Sequence, residues 1–351
     1  MAVGSPCYKK ARLTVPTLLA NLHPHARDAA IHFDEDSHVY TINGQRVPES
    51  VSGFWARFFP EFDAEAVIAK NFVNWSTVPT SPYFRLIHYL KHSRGFNEQE
   101  AQAEIARYWR QHGLNSAQHG TNLHRAIEYH LNGMVADIIP QPEFGLFEKW
   151  FAQTKERLGT PYRTEWSLYS EEAALAGQLD SLFHHPVHGF TLVDWKCVKA
   201  LPPSGGGNFR KVYGRPPFNM LENHNLSHYW VQQNMYSWML RTYYGINVER
   251  MLLVQLHDSL TEACEHIVPD LQTYVIPLME ERIRAVKMGT VTFPKKHYEE
   301  VTKTTCAECV ELRALVRDLV LDKTLATEEP KKPADVAGDG CENAMCRSTV
   351  T

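Results

Sequence analysis

Residues 177–196 read GQLDSLFHHPVHGFTLVDWK, and this stretch decides how the rest of the chain is interpreted. Two apolar-rich segments, 173–183 and 190–198, flank the HHPVHG sequence, whose Pro and Gly are typical of a hairpin connection. The second segment alternates with the period of a half-buried strand, so Asp194 and Lys196 project from the same face. We therefore predict a β-hairpin that carries an acid and an amine side by side.

Pairing these two strands would bring Asp180 next to Asp194. Two carboxylates a few Å apart raise one pKa unless a cation lies between them. Magnesium or manganese takes carboxylate oxygens, keeps several waters and bridges to a substrate phosphate. Lys196 would then orient or deprotonate the attacking water and offset charge on the phosphate. Since a D-x-K on a strand also arises by chance, the surrounding sequence has to decide between these interpretations.

The hairpin pattern, G-x-(hydrophobic)-D followed by D-W-K, resembles the core of the PD-(D/E)XK nuclease superfamily. The resembled branch includes the RecB nuclease domain and the mitochondrial genome maintenance exonuclease. Upstream, residues 120–124 (GTNLH) match its G-x-x-x-H helix, and downstream, residues 232–236 (QQNMY) match its Q-x-x-x-Y helix. The motifs occur in the right order and together cover residues 120–236, about a third of the chain.

This resemblance implies an α/β fold in which a central mixed sheet is flanked by helices, a restriction-endonuclease-like core with a helical N-terminal lead-in. It also implies a metal-dependent DNA exonuclease that acts on single-stranded or free-ended DNA in replication, recombination or repair, leaving a 5′-phosphate. The implied Mg²⁺ or Mn²⁺ ligands are His124, Asp180, Asp194 and the main-chain carbonyl of Trp195. Lys196 would position the water, while Gln232 and Tyr236 would support the substrate and the lysine.

Two further acids are candidates for holding or facing the metal ligands. Glu128 lies four residues after His124 and so shares its helix face, beside an apolar stripe that packs. Glu165 lies on PYRTEWSLYS, which reads as the first strand of the sheet, where the resembled proteins often carry an acid. A solvated or salt-bridged role is the alternative for both.

After the D-W-K strand, residues 199–217 form a loop rich in Gly, Pro and basic residues, without any acid. Its cations are Lys199, Arg210, Lys211 and Arg215. Because the loop leaves directly from the candidate catalytic strand, we expect it to clamp single-stranded nucleic acid. A solvated insertion is the alternative.

Composition sets broad limits on function. The 351 residues are 44% hydrophobic and 22% charged, as in ordinary globular proteins of one or two domains. A formal charge of −4 argues against coating nucleic acid through bulk positive charge, although local patches can still bind phosphates. The longest apolar runs fall far short of a membrane span. Seven cysteines without a regular framework favour an intracellular, reducing compartment, with nucleus, cytoplasm and mitochondrion all open.

The positions of Gly, Pro and helix-capping residues, together with the spacing of apolar residues, predict four regions. These are a leader (1–29), a hairpin and helical region (30–114), the nuclease core (115–290) and a C-terminal helix with a disordered tail (291–351). The leader is basic and is either a targeting segment or disordered. Asn43-Gly44 predicts a type I′ turn, and Gly113 is expected to break the helical pattern before a new helix begins near Asn115 or Ser116.

The C-terminal cysteines Cys306, Cys309, Cys341 and Cys346 could form a zinc or iron–sulfur site. The relatives that carry a cluster place one cysteine upstream of the core, a pattern this chain lacks, so we expect neither group there. Two alternatives to an exonuclease stay open: a structure-specific endonuclease or nickase, and a catalytically silent nucleic-acid-binding module. A helicase or recombination partner and the oligomeric state are also open.

Overall fold

The computed structural model describes residues 18–35, 37–134, 141–201 and 211–291. The predictions for most of the leader, for Arg210, for the C-terminal helix and for the four C-terminal cysteines therefore fall outside the described residues. Within these ranges, no helix is both long and apolar enough to cross a membrane.

Helices and strands are numbered here in chain order. The helices are α1 (Leu18–Leu22), α2 (Val51–Ala56), α3 (Ala64–Thr77), α4 (Phe84–His92), α5 (Glu98–Leu131), α6 (Pro142–Leu158), α7 (Asn225–Tyr243) and α8 (Gln272–Lys287), with a 3-10 turn at Ala26–Ala29. The strands are β1 (Ile31–Asp34), β2 (Val39–Ile42), β3 (Gln45–Arg46), β4 (Glu49–Ser50), β5 (Thr160–Ser170), β6 (Leu175–His185), β7 (Gly189–Lys196), β8 (Val248–Gln255) and β9 (Cys264–Ile267).

The chain divides into two compact units, and the first comprises Met1–Asp63 and Arg107–Tyr298. Its main sheet has the order β4-β6-β7-β8-β9, with β5 also paired to β6. The β5–β6, β6–β7 and β8–β9 pairs are antiparallel, whereas β4–β6 and β7–β8 are parallel. The fold is thus a mixed α/β fold with a mixed sheet flanked by helices and an N-terminal helical region, which confirms the predicted fold class.

The predicted β-hairpin is present as β6 and β7. Its turn ends at Gly189, whose φ of +72° lies in the left-handed region that favours glycine. A Cβ there would also lie 2.7 Å from Cγ of Glu249, so the turn depends on glycine for two reasons.

Alternate side chains of the hairpin enter two different parts of the core. Leu182 and Leu192 join a cluster with buried residues of α7 and α8. Phe183, Val193 and Trp195 join another cluster with residues of α5 and α6. Because neighbouring strand residues point to opposite faces, the sheet is buried on both sides and its register is strongly specified.

The predicted NG hairpin also forms, as β2 and β3 in a separate three-stranded sheet. Asn43 and Gly44 have φ values of 50° and 77°, both positive as a type I′ turn requires. The aromatic run on and after α2 belongs to the core. Phe54 and Phe59 are buried, and Trp55 and Phe58 pack against them.

The second compact unit comprises Ala64–Ala106 and Glu299–Thr351. In its described part, α3, α4 and the first turns of α5 supply the buried residues Ile68, Phe72, Leu86, Ile87, Leu90, Ala101 and Ile105.

The predicted break at Gly113 is wrong, because α5 runs without interruption for 34 residues. A glycine inside a helix costs only about 0.5–1 kcal/mol relative to alanine. The turns around it are supported by i,i+4 side-chain bonds, such as the 3.0 Å bond from Gln111 Nε2 to Asn115 Oδ1. The expected boundary between residues 114 and 115 therefore falls inside a helix.

Candidate active site

The two hairpin strands separate just where the predicted acids begin. The last paired residues are Ser181 and Val193, and beyond them Asp180 turns its side chain toward β7. Its Oδ2 accepts a 2.8 Å hydrogen bond from the backbone N–H of Trp195. The indole of Trp195 is anchored in turn, since its Nε1 donates to Ser181 Oγ at 3.0 Å. This arrangement fixes the carboxylate of Asp180 against the D-W-K segment.

His124 reaches the same point from α5. Its Nε2 lies 2.9 Å from the carbonyl oxygen of Trp195, and its Nδ1 lies 3.5 Å from Asp180 Oδ2 and 3.6 Å from Glu165 Oε1. Burial lowers the pKa of His124, but the two carboxylates outweigh burial and raise that pKa to about 9. An imidazolium can donate to the carbonyl and to a carboxylate at once.

Glu165 lies opposite Asp180 on β5, because Thr164 pairs with Ser181 and Trp166 pairs with Leu179. Its φ of 44° is in the left-handed region, which is costly for a glutamate, by about 1–3 kcal/mol. Gln178 Nε2 donates to the Glu165 carbonyl at 2.8 Å and helps to hold this conformation. Burial is the main cause that raises the pKa of Glu165.

Asp194 and Lys196 are neighbours on β7, as predicted, with 2.7 Å between Nζ and Oδ2. Burial raises the pKa of Asp194 to about 7, with Lys196 opposing the shift and Asp180 adding to it. For Lys196, burial lowers the pKa, but Asp194 and Asp180 outweigh it and the net shift is upward. The Lys196 ammonium also lies 4.3 Å from the ring centroid of Tyr229, a cation–π distance.

Gln232 and Tyr236 face the same way on α7, as their spacing predicts. Gln232 Nε2 donates to the Tyr236 hydroxyl at 3.3 Å. Tyr236 is buried and packs against Gly177, where a Cβ would lie 2.8 Å from its Cε1 and 2.9 Å from its hydroxyl. Burial, then the nearby Tyr40 and the two acids of the hairpin, raise the pKa of Tyr236 well above its usual value.

The ligand atoms of His124, Glu165 and Asp180 all lie within 4.8 Å of one another and could hold a metal ion. Among the described residues, this group does not include Asp194, whose carboxylate is paired with Lys196, or Glu128. The structure therefore places Glu165 beside two of the candidate metal ligands, His124 and Asp180, whereas the sequence predicted only an acid that holds or faces the ligands. The metal-ligand roles of these residues stay predictions.

The basic loop is partly described. Lys199, Lys211 and Arg215 are all exposed, and Lys211 is also paired with Glu222, with 3.2 Å between Nζ and Oε2. The start of the loop is fastened to the sheet because Gln255 Nε2 donates to the carbonyls of Val198 and Lys199 at 2.9 and 3.2 Å.

Neither Tyr229 nor Gln255 was identified from the sequence as a residue of the candidate site. Tyr229 precedes Gln232 by three residues and Tyr236 by seven, so the helix-face spacing that selected those two residues also contains it. Gln255 lies opposite Lys196 in the β7–β8 pair, and only the parallel register reveals this placement.

No protein-family model and no curated protein matches the chain. Among solved structures, SSO0001 is 14% identical with a TM-score of 0.22, and the match covers 40% of this chain. The chain spans only 57% of SSO0001. A protein of Eubacterium rectale with the provisional name exonuclease is 13% identical with a TM-score of 0.30, over 61% of this chain and 76% of that one. Likenesses this weak carry no argument about function, which has to rest on the side chains.

Proposed function

We propose that this protein is a metal-dependent deoxyribonuclease of the PD-(D/E)XK type, acting as an exonuclease on single-stranded or free-ended DNA. One observation carries the proposal. Asp180, Asp194 and Lys196 lie together at the open end of the β6–β7 hairpin. The Lys196 ammonium lies 2.7 Å from the Asp194 carboxylate, and the Asp180 carboxylate accepts a hydrogen bond from the Trp195 N–H. This is the D…D-x-K arrangement of the resembled superfamily, which could hold a divalent cation and orient a water molecule at a phosphodiester.

The residues present fit a divalent cation. Asp180, Glu165 and Asp194 bring three acids to a site in which Lys196 and His124 are the nearby bases. Burial raises the pKa of Asp194 and of Glu165, and the charge of Asp180 adds to both shifts, so a bound cation would stabilise these carboxylates in their ionised form. Mg²⁺ or Mn²⁺ would be held by Asp180, Asp194 and the Trp195 carbonyl, with His124 and Glu165 beside them.

A bound cation would polarise the phosphate and make a water molecule more acidic. Side chains of the protein would orient the water and the phosphate. The Lys196 ammonium, held between Asp194 and the face of Tyr229, orients the attacking water and offsets charge on the phosphate. Gln232 and the Tyr236 hydroxyl, hydrogen-bonded to each other, offer an amide and a phenol to a phosphate oxygen or to the water.

Lys199, Lys211 and Arg215 are exposed cations of the loop after β7, and Lys211 is paired with Glu222, so Lys199 and Arg215 are the proposed phosphate contacts for a DNA strand leaving the site. The anchor from Gln255 keeps the first of them near the catalytic strand. In this proposal, DNA is the partner, and single strands or free ends are the preferred form.

Cleavage of labelled DNA by the purified full chain tests the proposal. Activity should require Mg²⁺ or Mn²⁺ and stop in EDTA. Asp194→Asn and Lys196→Ala should each lower turnover by ~10²–10³ or more while DNA binding survives, since each removes a preorganised charge. Lys149→Ala is the matched control, because Lys149 is exposed and pairs with Glu262. Full cleavage in EDTA, or normal turnover of Lys196→Ala, contradicts the assignment.

A closed circular substrate beside a linear one distinguishes an exonuclease from an endonuclease or nickase. The exonuclease proposal requires the linear DNA to be degraded and the circle to stay intact. DNA binding without cleavage under any of these metal conditions would instead indicate a silent binding module.

A further inference from the structure

Among the described residues, a second group of side chains of the types that can bind a metal ion lies near the end of β7. His119 comes from α5, Glu143 from the first turn of α6, and Cys197 directly follows Lys196. His119 Nε2 lies 3.0 Å from Glu143 Oε1, and Cys197 Sγ lies 4.0 Å from the same oxygen. The three ligand atoms all lie within 4.8 Å of one another.

Glu143 is an unusual residue to bury. It is 3% exposed, and its Oε2 has no hydrogen-bond partner among the described residues. The start of α6 favours a negative charge, worth about 0.3–1 kcal/mol, but leaves this oxygen without a donor. A buried carboxylate oxygen without a partner is costly, by about 1–3 kcal/mol or more, so a bound cation would remove a real penalty.

The spacing suits a small tetrahedral ion. With bond lengths of about 2.0–2.1 Å to nitrogen and oxygen and about 2.3 Å to sulfur, tetrahedral angles place N and O about 3.3 Å apart and S and O about 3.5 Å apart. The observed 3.0 and 4.0 Å differ from these values by a few tenths of an Å, which side-chain rotation covers.

The ligand types select the ion. A thiolate, an imidazole and a carboxylate suit zinc or a similar borderline metal, whereas Mg²⁺ prefers oxygen ligands. The His124, Glu165 and Asp180 cluster contains no sulfur, so the two groups of ligands differ in chemistry.

We propose that His119, Glu143 and Cys197 form a zinc-class metal site with three protein ligands and a fourth position open to water. Cys197 binds as a thiolate and its proton passes to the solvent. The His119 side chain is 41% exposed, which leaves an entry path for the ion. Metal here would tie the end of β7 to α5 and α6, next to the catalytic lysine.

Cobalt(II) is the probe, because a thiolate ligand gives a thiolate-to-cobalt charge-transfer absorption that oxygen and nitrogen ligands do not. The full chain is used with five other cysteines replaced by serine: Cys7, Cys306, Cys309, Cys341 and Cys346. The chain should bind cobalt with this absorption and release it on addition of zinc. Cys197→Ser should abolish the band, and Cys264→Ser, at an exposed free cysteine on β9, should leave it unchanged.

His119→Gln keeps the proposal testable if Cys197→Ser does not fold, since His119 is partly exposed. It should weaken cobalt binding by more than the ~10–100-fold that loss of a residue merely supporting a ligand costs. His112→Gln, at an exposed histidine on the same helix, is its control. Absence of the band in the starting protein, its loss in Cys264→Ser, or unchanged affinity in His119→Gln would overturn the proposal.

Discussion

Gly177→Ala tests whether the hairpin and α7 are held as close together as the site requires. An added Cβ would lie 2.8 Å from Tyr236 Cε1, 2.9 Å from its hydroxyl and 3.1 Å from Val51 Cβ. Contacts below 3.0 Å force a shift, and Tyr236 is 4% exposed, so its ring has no free space to enter. The hydrogen bond from Gln232 would shift with the hydroxyl.

The expected cost follows from overpacking, which typically destabilises by about 1–3 kcal/mol. Alanine recovers about 0.5–1 kcal/mol of this cost, because glycine inside a strand loses more backbone entropy on folding. The difference between the two terms spans about 0–2.5 kcal/mol, and because two of the contacts lie below 3.0 Å we expect Gly177→Ala to lower the free energy of unfolding by about 1–2 kcal/mol. Gly145→Ala is the control, since Gly145 lies on α6 and an added Cβ there would have no atom within 4 Å. That change should stabilise the protein by about 0.5–1 kcal/mol.

A double-mutant cycle tests the contact of Gly177 with Tyr236. It compares the free energies of urea unfolding of the starting protein, Gly177→Ala, Tyr236→Leu and the double variant. If the clash is with the tyrosine ring, the alanine should cost far less in the Tyr236→Leu background, leaving only the contact with Val51. DNA cleavage by Gly177→Ala should fall along with stability. An equal cost of the alanine in both backgrounds, or no cost at all, would refute the close packing of Gly177 on Tyr236.

Three further predictions concern other parts of the chain. Lys199→Ala and Arg215→Ala should each flatten the slope of log affinity for single-stranded DNA against log salt by about 0.7, whereas Lys211→Ala should change it less because Lys211 is already paired with an acid. Tyr229→Leu should lower turnover by about two- to thirtyfold, the equivalent of a cation–π contact worth about 0.5–2 kcal/mol, and Tyr229→Phe should retain most of the activity. Burial lowers the pKa of His228 to about 4, so folding stability should fall as pH drops from about 6.5 to 4, and His228→Gln should make urea unfolding less pH-dependent in that range.

The hairpin was predictable because its information is local. The alternation of 190–198, the Pro and Gly of the turn and the apolar strand before it determine that Asp194 and Lys196 share a face. The contact between Gln232 and Tyr236 was predictable for the same reason, since helix periodicity alone puts them together. The break at Gly113 was wrong because glycine weakens a helix by less than the surrounding residues support it.

What could not be predicted depends on groups far apart in the sequence. The pairing of Lys211 with Glu222 and the left-handed backbone of Glu165 have no local signal in the sequence. His119 lies on α5, Glu143 on α6 and Cys197 just after β7, and no motif spacing links a single cysteine to a histidine 78 residues earlier. Only the packing of α5 and α6 against the sheet brings these three side chains together.

The position of the candidate active site follows from which strands pair with each of the two edges of β6. β5 pairs with β6 along nearly its whole length, so β4 and β7 have to share the other edge, at residues 175–176 and 181–185. β4 stops there because Ser50 caps α2, with its Oγ accepting from the Gly53 N–H at 3.0 Å. On this edge of β6, the interval from Gly177 to Asp180 therefore has no paired strand, although β5 pairs with it on the opposite edge. Tyr236 packs where a side chain at Gly177 would lie, and Asp180 uses its side chain to bond the backbone of β7. An interrupted sheet edge thus determines the position of the acid, because the backbone of β7 that is unpaired on this side is free to donate to Asp180.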